Sequence, residues 1–83
     1  MKPNEVIPFK DAPKLMKELM KTPNTPHIQT LYIWRRGLMI GKKKIRLKVT
    51  PTGIRSVGIT RADAAAFVEE MMNARMEAVN GTN

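Results

Sequence analysis

The chain has 83 residues, no cysteine and a formal net charge of +8. This length is enough for one small domain with a modest core, and the lack of cysteine excludes disulfides and thiolate zinc sites. No apolar run approaches the roughly 20 residues that cross a bilayer, and the N-terminal stretch MKPNEVIPF lacks the apolar region of a signal peptide. We therefore expect a single soluble domain, residues 1–83, in a reducing cytoplasm.

The positive charge is concentrated in the middle of the chain. Between Leu19 and Ala62 there are ten basic residues and no acidic one, whereas residues 63–83 hold four acidic residues and one arginine. The ten are Lys21, Arg35, Arg36, Lys42, Lys43, Lys44, Arg46, Lys48, Arg55 and Arg61. Such segregation is typical of proteins that bind a polyanion such as nucleic acid. The alternative is a solubilising surface, which ordinarily mixes both signs.

The first elements are predicted from their apolar spacing. Residues 6–9 are apolar and interrupted by Pro8, which predicts a leading segment or an edge strand. Asp11 is placed to cap a helix over residues 12–21, whose apolar positions follow the i, i+3, i+4, i+7 spacing of one buried face. These positions are Ala12, Leu15, Met16, Leu19 and Met20. We expect this helix to be scaffold and its methionines to fill the core.

A second helix is predicted after the turn sequence TPNTP. Thr25 can cap it, Pro26 suits its first turn, and Gly37 can end it in a left-handed conformation. A helical wheel places Ile28, Leu31, Tyr32 and the stem of Arg35 on one face and Gln29, Thr30, Ile33 and Arg36 on the other. Trp34 is predicted to be a core anchor rather than a platform for stacked bases.

A basic hairpin is predicted after a change of direction at Gly41. Residues 44–50 alternate, with Ile45, Leu47 and Val49 on one face and Lys44, Arg46, Lys48 and Thr50 on the other. The triplet Pro51-Thr52-Gly53 predicts a turn whose glycine takes positive φ, and residues 54–59 would return as the partner strand. The basic face of such a hairpin can approach phosphates. The alternative is that its lysines only protect an edge strand from pairing.

The last helix is predicted to begin after Thr60, with Asp63 placed to complete a capping arrangement. One apolar stripe contains Ala64, Phe67, Val68, Met71 and Ala78, and a second contains Ala65, Met72, Met76 and Val79. Two stripes exceed what one small core needs. Either the helix packs against both the hairpin and the first helix, or the second stripe meets another copy of the chain. Residues 1–5 and 80–83 are expected to fray.

This order of elements resembles the excisionase-type branch of the MerR-like winged helix-turn-helix proteins over residues 6–72. The matching residues are Thr30-Leu31-Tyr32, Trp34-Arg35-Arg36-Gly37, Gly53-Ile54-Arg55, Ile59-Thr60 and Phe67. The resemblance implies a small α+β winged helix-turn-helix domain, in the order helix, helix, β-hairpin, helix. Its second helix would lie in the major groove and its wing along the adjacent minor groove or backbone. Lys42, Lys43, Lys44 and Gly58 depart from the pattern of the family.

The same resemblance implies a bacterial or phage origin and one of two roles. One is an excisionase, a recombination factor that bends DNA and recruits an integrase. The other is a small transcriptional regulator. The expected partners are double-stranded DNA, an integrase or recombinase, and, from the second apolar stripe, a second copy through the last helix. We expect a cytoplasmic, nucleoid-associated protein that does not act on membranes.

The candidate DNA-binding residues divide into readers and phosphate contacts. Gln29, Thr30 and Arg36 have the donors and acceptors that base readout needs, and Ile33 can touch a thymine methyl. Tyr32 and Arg35 are expected to support the helix and touch phosphate. The phosphate candidates of the wing are Lys42, Lys43, Lys44, Arg46, Lys48 and Arg55. The alternative for each is an ordinary solvated face.

No catalytic pattern stands out. His27 is the only histidine, and the basic middle of the chain offers no carboxylate to bind a metal beside it. The sequence has no Ser-His-Asp arrangement, glycine-rich phosphate loop or carboxylate pair. We expect no enzyme activity, metal or cofactor. The rival functions are a protein–protein adaptor that uses the apolar last helix, and an RNA-binding protein, which the lack of an aromatic platform disfavours.

Overall fold

A computed structural model describes residues 5–80 and shows an α+β architecture, the class predicted above. In chain order its elements are β1 (Val6–Pro8), a 3-10 turn (Phe9–Asp11), α1 (Ala12–Met20), α2 (Ile28–Arg36), β2 (Leu38–Ile40), β3 (Lys43–Ile45), β4 (Thr50–Pro51), β5 (Val57–Thr60) and α3 (Arg61–Asn80). The fraying expected at residues 1–5 and 80–83 concerns positions outside the described residues, apart from Glu5 and Asn80, the last residue of α3.

The hydrophobic core joins one face of each helix to the strands. Its buried members are Phe9, Ala12, Leu15, Met16, Leu31, Trp34, Ile45, Leu47, Ile59, Ala64, Phe67, Val68 and Met71. The ring centroids of Trp34 and Phe67 lie 5.3 Å apart, a distance favourable for a tilted aromatic pair. The prediction that Trp34 anchors the core is therefore confirmed.

The sheet around β5 carries the edge strand predicted at the start of the chain. β5 lies between β1 and β4 and is antiparallel to both, with Val6 opposite Thr60 and Thr50 opposite Gly58. β1 is therefore an edge strand, where Pro8 is tolerated because an edge residue can lack a donor.

The prediction of α1 was close. Ala12, Leu15 and Met16 are buried, and Leu19 and Met20 are half-buried, as the apolar spacing predicts. Asp11 stands at the N-cap but its side chain makes no capping hydrogen bond, because the 3-10 turn holds it at φ −94° and ψ −5° instead of in the extended conformation of a capping residue. The helix ends at Met20, one residue earlier than predicted, and its C-cap residue Lys21 is left-handed with φ 55°.

The predicted start of α2 was wrong. The helix begins at Ile28, and the residue that caps it is His27, whose Nδ1 accepts a 3.2 Å hydrogen bond from the backbone N–H of Gln29. Thr25 and Pro26 belong to the preceding loop. An imidazole nitrogen satisfies a free N–H of the first turn as a hydroxyl would, so the helix starts where Ile28 reaches the core. Gly37 ends it with positive φ, as predicted, but at φ 139° and ψ 134° rather than in the left-handed helical region.

The predicted hairpin was wrong in its pairing. β3 pairs with β2, with Ile40 opposite Lys43 across a two-residue turn in which Gly41 has φ 61°. Only the first turn residue has positive φ, as a type II′ turn requires. Residues 46–49 form no strand. Their alternation is nevertheless real, since Leu47 is buried and Arg46 and Lys48 are exposed.

The turn expected at Pro51-Thr52-Gly53 lies further along the chain. Pro51 pairs with Val57, and a 3.0 Å hydrogen bond from the N–H of Thr52 to the carbonyl of Ser56 closes the loop over residues 52–56. Gly53 does not have positive φ. The register of β4 on β5 centres the loop on Ile54, which removes the need for a left-handed residue at Gly53.

The capping residue of α3 was predicted correctly. The hydroxyl of Thr60 accepts a 3.1 Å hydrogen bond from the N–H of Asp63. The first apolar stripe packs against α1, β2, β3 and β5, with Ala78 half-buried and Ala74 buried in addition. The second stripe is exposed, so packing within the chain accounts for only one of the two.

Candidate nucleic-acid interface

Eleven of the twelve predicted DNA-binding residues are exposed, and Thr30 is half-buried. On α2 the buried residues are Leu31 and Trp34. The positions opposite them on a helical wheel belong to Gln29 and Arg36. These two side chains therefore form the centre of the solvent face of α2.

The wheel predicted for α2 needs two corrections beside that centre. Tyr32 was assigned to the inner face but is exposed, and Thr30, assigned to the outer face, lies on the flank of the helix. The reason is the indole of Trp34, which turns the buried face toward Phe67. Tyr32 keeps one contact with the core side, because its ring centroid is 5.2 Å from that of Phe9.

The basic residues that follow α2 are attached to its C-terminal end at two points. The backbone N–H of Leu47 donates a 3.0 Å hydrogen bond to the carbonyl of Trp34. The aliphatic stem of Lys44 lies across Gly37, so closely that a Cβ at Gly37 would collide with its Cε. We call residues 42–48 the basic segment. Lys44, Arg46 and Lys48 are thereby held beside the last turn of α2, which carries Arg35 and Arg36, whereas Lys42 and Lys43 line a groove beside α3.

The predicted wing is divided between two hairpins. Lys42, Lys43 and Lys44 belong to the β2–β3 hairpin, and Arg55 belongs to the loop between β4 and β5. Among the described residues no hydrogen bond joins that loop to α2. The structure thus joins the C-terminal part of the basic segment, residues 44–48, to α2, but not Arg55.

Nearly all of the positive charge in the middle of the chain is uncompensated. Within residues 5–80 the one ion pair joins Arg61 to Glu18, with 3.0 Å between Nη2 and Oε1. The other nine cations counted between Leu19 and Ala62 have no carboxylate partner in the described part of the chain. The field of this region therefore acts on the solvent and on any anion in it.

The sequence reasoning missed Ile54 and the role of His27. Ile54 was assigned to a strand, but its side chain is fully exposed at the centre of the β4–β5 loop. The signal was present in the stretch PTGIRS, whose polar and turn-forming residues surround it. His27 was placed at the surface near the start of α2, where it lies, but its capping hydrogen bond was not foreseen.

Clusters of metal ligands, membrane-spanning helices and surface grooves are the other features that bear on function. No three His, Asp or Glu side chains of the described chain come together as metal ligands. Within residues 5–80 no helix has the length and apolar composition to cross a membrane. Two open grooves flank α3, one of about 550 Å³ beside the β2–β3 turn and one of about 480 Å³ beside the end of α1.

Comparison of the chain with protein-family models, with curated proteins and with solved structures finds no match.

Proposed function

We propose that this protein binds double-stranded DNA as a small winged helix-turn-helix protein. In this proposal α1, the loop of residues 21–27 and α2 form the helix-turn-helix. The solvent face of α2 enters the major groove, and the basic segment follows the adjacent backbone. The observation that carries the proposal is the hydrogen bond from Leu47 to Trp34, because it fixes the unpaired cations Arg46 and Lys48 at the end of α2, beside the solvent face of that helix.

The chemistry of the two surfaces is complementary to duplex DNA. Gln29 and Arg36 supply the bidentate donors and acceptors that recognise adenine and guanine in the major groove. Exposed Ile33 beside them offers an apolar contact for a thymine methyl. The lysines and arginine of the basic segment supply phosphate contacts, which position a protein without reading sequence. Arg55 and Ile54 in the β4–β5 loop would form the second arm, the wing.

The role that we propose is that of an excisionase or a small transcriptional regulator, without catalysis or a cofactor, acting in the bacterial cytoplasm at the nucleoid. An excisionase would contact an integrase in addition to DNA. The resemblance in the second helix and in Gly53-Ile54-Arg55 supports this role. The uncompensated charge supports duplex binding independently of it.

A gel shift with random duplex DNA, single-stranded RNA and single-stranded DNA, each at several salt concentrations, tests the proposal. We expect duplex to be retarded in preference to the single strands. If about six phosphates are neutralised, the log–log slope of affinity against salt should be near −5. Preference for single-stranded RNA would favour the RNA-binding alternative. Absence of a shift at low salt, or a shift insensitive to salt, would contradict DNA binding and favour the adaptor alternative.

A further inference from the structure

The outer face of α3 carries apolar side chains that the fold leaves exposed. Met72 is 44% and Met76 is 63% exposed. Ala65, about two turns before Met72, is exposed as well. Positions 65, 72 and 76 are spaced by seven and four residues and so share one stripe, the seam of a helix that packs against another helix, with Glu69 at its edge. Beside this seam lies the groove of about 480 Å³ between α1 and α3, to which Leu19, Met20 and Val68 also contribute.

We infer that a second copy of this chain covers the seam, with the two α3 helices antiparallel and a two-fold axis passing at Met72. The sequence around Met72 is self-complementary about that residue. Val68 and Met76 lie four residues to either side, and Glu69 and Arg75 lie three residues to either side. An antiparallel pair therefore brings Met76 of each copy level with Val68 in the groove of the other.

The charges select this occupant and this direction. Glu69 and Arg75 are both exposed, and neither forms an ion pair within the described chain. The antiparallel arrangement sets each Glu69 level with Arg75 of the other copy, so that two pairs of opposite charge flank the apolar contact. A parallel arrangement would instead set Glu69 beside Glu69, which is unfavourable. A second copy of α3 thus carries the charges that complement those of the first.

The size of the surface predicts a weak dimer. The seam from Ala65 to Met76 is about 17 Å long at 1.5 Å per residue, so the interface lies at or below the low end of stable interfaces, about 1,200 Å² in total. We expect a dissociation constant on the order of 10 µM. Methionine side chains suit such a contact because they adapt their shape to the partner.

The dimer would add one property to the proposed function, a preference in DNA binding. Only this property rests on the proposed function. A two-fold dimer of a DNA-binding domain reads two half-sites related by inversion. The preferred duplex of the dimer would therefore be an inverted repeat, while its formation does not depend on DNA.

Sedimentation of the full chain without DNA, from about 1 µM to about 500 µM, tests the inference. We expect a concentration-dependent shift from monomer to dimer. Met72→Glu should weaken the dimer at least about tenfold, because it places two carboxylates at the axis and removes apolar contact. Ala66→Glu is the matched control and should leave the dimer intact. Ala66 is exposed on the same helix but points about 120° away from Met72 around the helix axis. A monomer at every concentration, or equal weakening by both variants, would overturn the inference.

Charge reversal tests the direction of the pair. Glu69→Arg alone and Arg75→Glu alone should each weaken self-association, because like charges then lie level across the axis. Mixing the two variants should restore a dimer, since each copy then offers the charge that the other lacks. Circular dichroism of each variant would show that the fold is kept. Failure of the mixture to associate more tightly than either variant would exclude the antiparallel arrangement. Because no DNA is present, a negative gel shift leaves this result unaffected.

Discussion

The backbone N–H of Leu47 donates a 3.0 Å hydrogen bond to the carbonyl of Trp34. That carbonyl is one of the last four of α2, which have no partner within the helix, and the bond gives it one. The same bond uses the donor of Leu47, which is therefore not available to a neighbouring strand, and residues 46–49 form no strand. Since Leu47 is buried, Arg46 and Lys48 on either side of it are exposed beside the end of α2.

Removing a cation of the basic segment should weaken binding to every duplex alike. We expect Lys48→Gln and Arg46→Gln each to lower the magnitude of the salt slope by about one counterion. Lys14→Gln is the matched control, because Lys14 is an exposed lysine of α1 and should leave the slope unchanged. Gel shifts at several salt concentrations measure these slopes. An equal change for Lys14→Gln would mean that net charge, rather than this surface, governs affinity.

Removing the centre of the solvent face of α2 should separate specific from non-specific binding. The double variant Gln29→Ala/Arg36→Ala should lose about 1–3 kcal/mol of discrimination for each base contact, with binding to random duplex weakened only by the charge of Arg36. The measurement compares the preferred sequence, selected from random duplexes, with a scrambled one. Proportional losses on both sequences would show that these side chains do not read bases.

The elements predicted well are those determined by local patterns. The apolar face of α1, the Thr60 cap and the predicted alternation depend on neighbours in sequence, and the structure has the first two in full and the alternation over residues 44–48. The partner of Lys44 could not be read in this way, because an alternating stretch has the same pattern whichever strand it pairs with. The two-residue turn at Gly41 pairs Lys44 with Met39 of β2.

In the candidate interface too, local features were predictable and contacts between distant residues were not. Exposure of nine of the eleven exposed residues followed from polarity and that of Ile33 from the helical wheel, whereas the link between Leu47 and Trp34 joins positions far apart in sequence and has no local signal. The wheel of α2 was misjudged at Tyr32 and Thr30, because its rotation depends on how Trp34 meets Phe67.

The capping residue of α2 gives a prediction about stability. The sequence indicates Thr25 as the cap, whereas the structure has His27 in that role. His27→Ala should destabilise the domain by about 0.5–1 kcal/mol, because it removes the acceptor for the N–H of Gln29. His27→Asn should restore most of that loss, since asparagine is a good capping residue. Thr25→Ala should change stability by less than about 0.5 kcal/mol, because Thr25 is an exposed loop residue. Urea unfolding measures all three, and a larger effect at Thr25 would reassign the cap.

Gly58 should tolerate no side chain, although its backbone is ordinary. It is buried in β5 between β1 and β4, and a Cβ there would lie 2.7 Å from the carbonyl oxygen of Ile7 and 3.2 Å from Cγ2 of Thr52. The carbonyl belongs to a paired strand and cannot move alone, so Gly58→Ala should cost about 1–3 kcal/mol in urea unfolding. Gly53→Ala is the matched control. There the near atom is Oγ of Ser56 at 2.7 Å, a hydroxyl that can rotate away, and the stability should stay within about 0.5 kcal/mol. Equal stability of the two variants would mean that β1 does not pack against β5 as closely as the structure has it, and the edge position of β1 would then need to be revised.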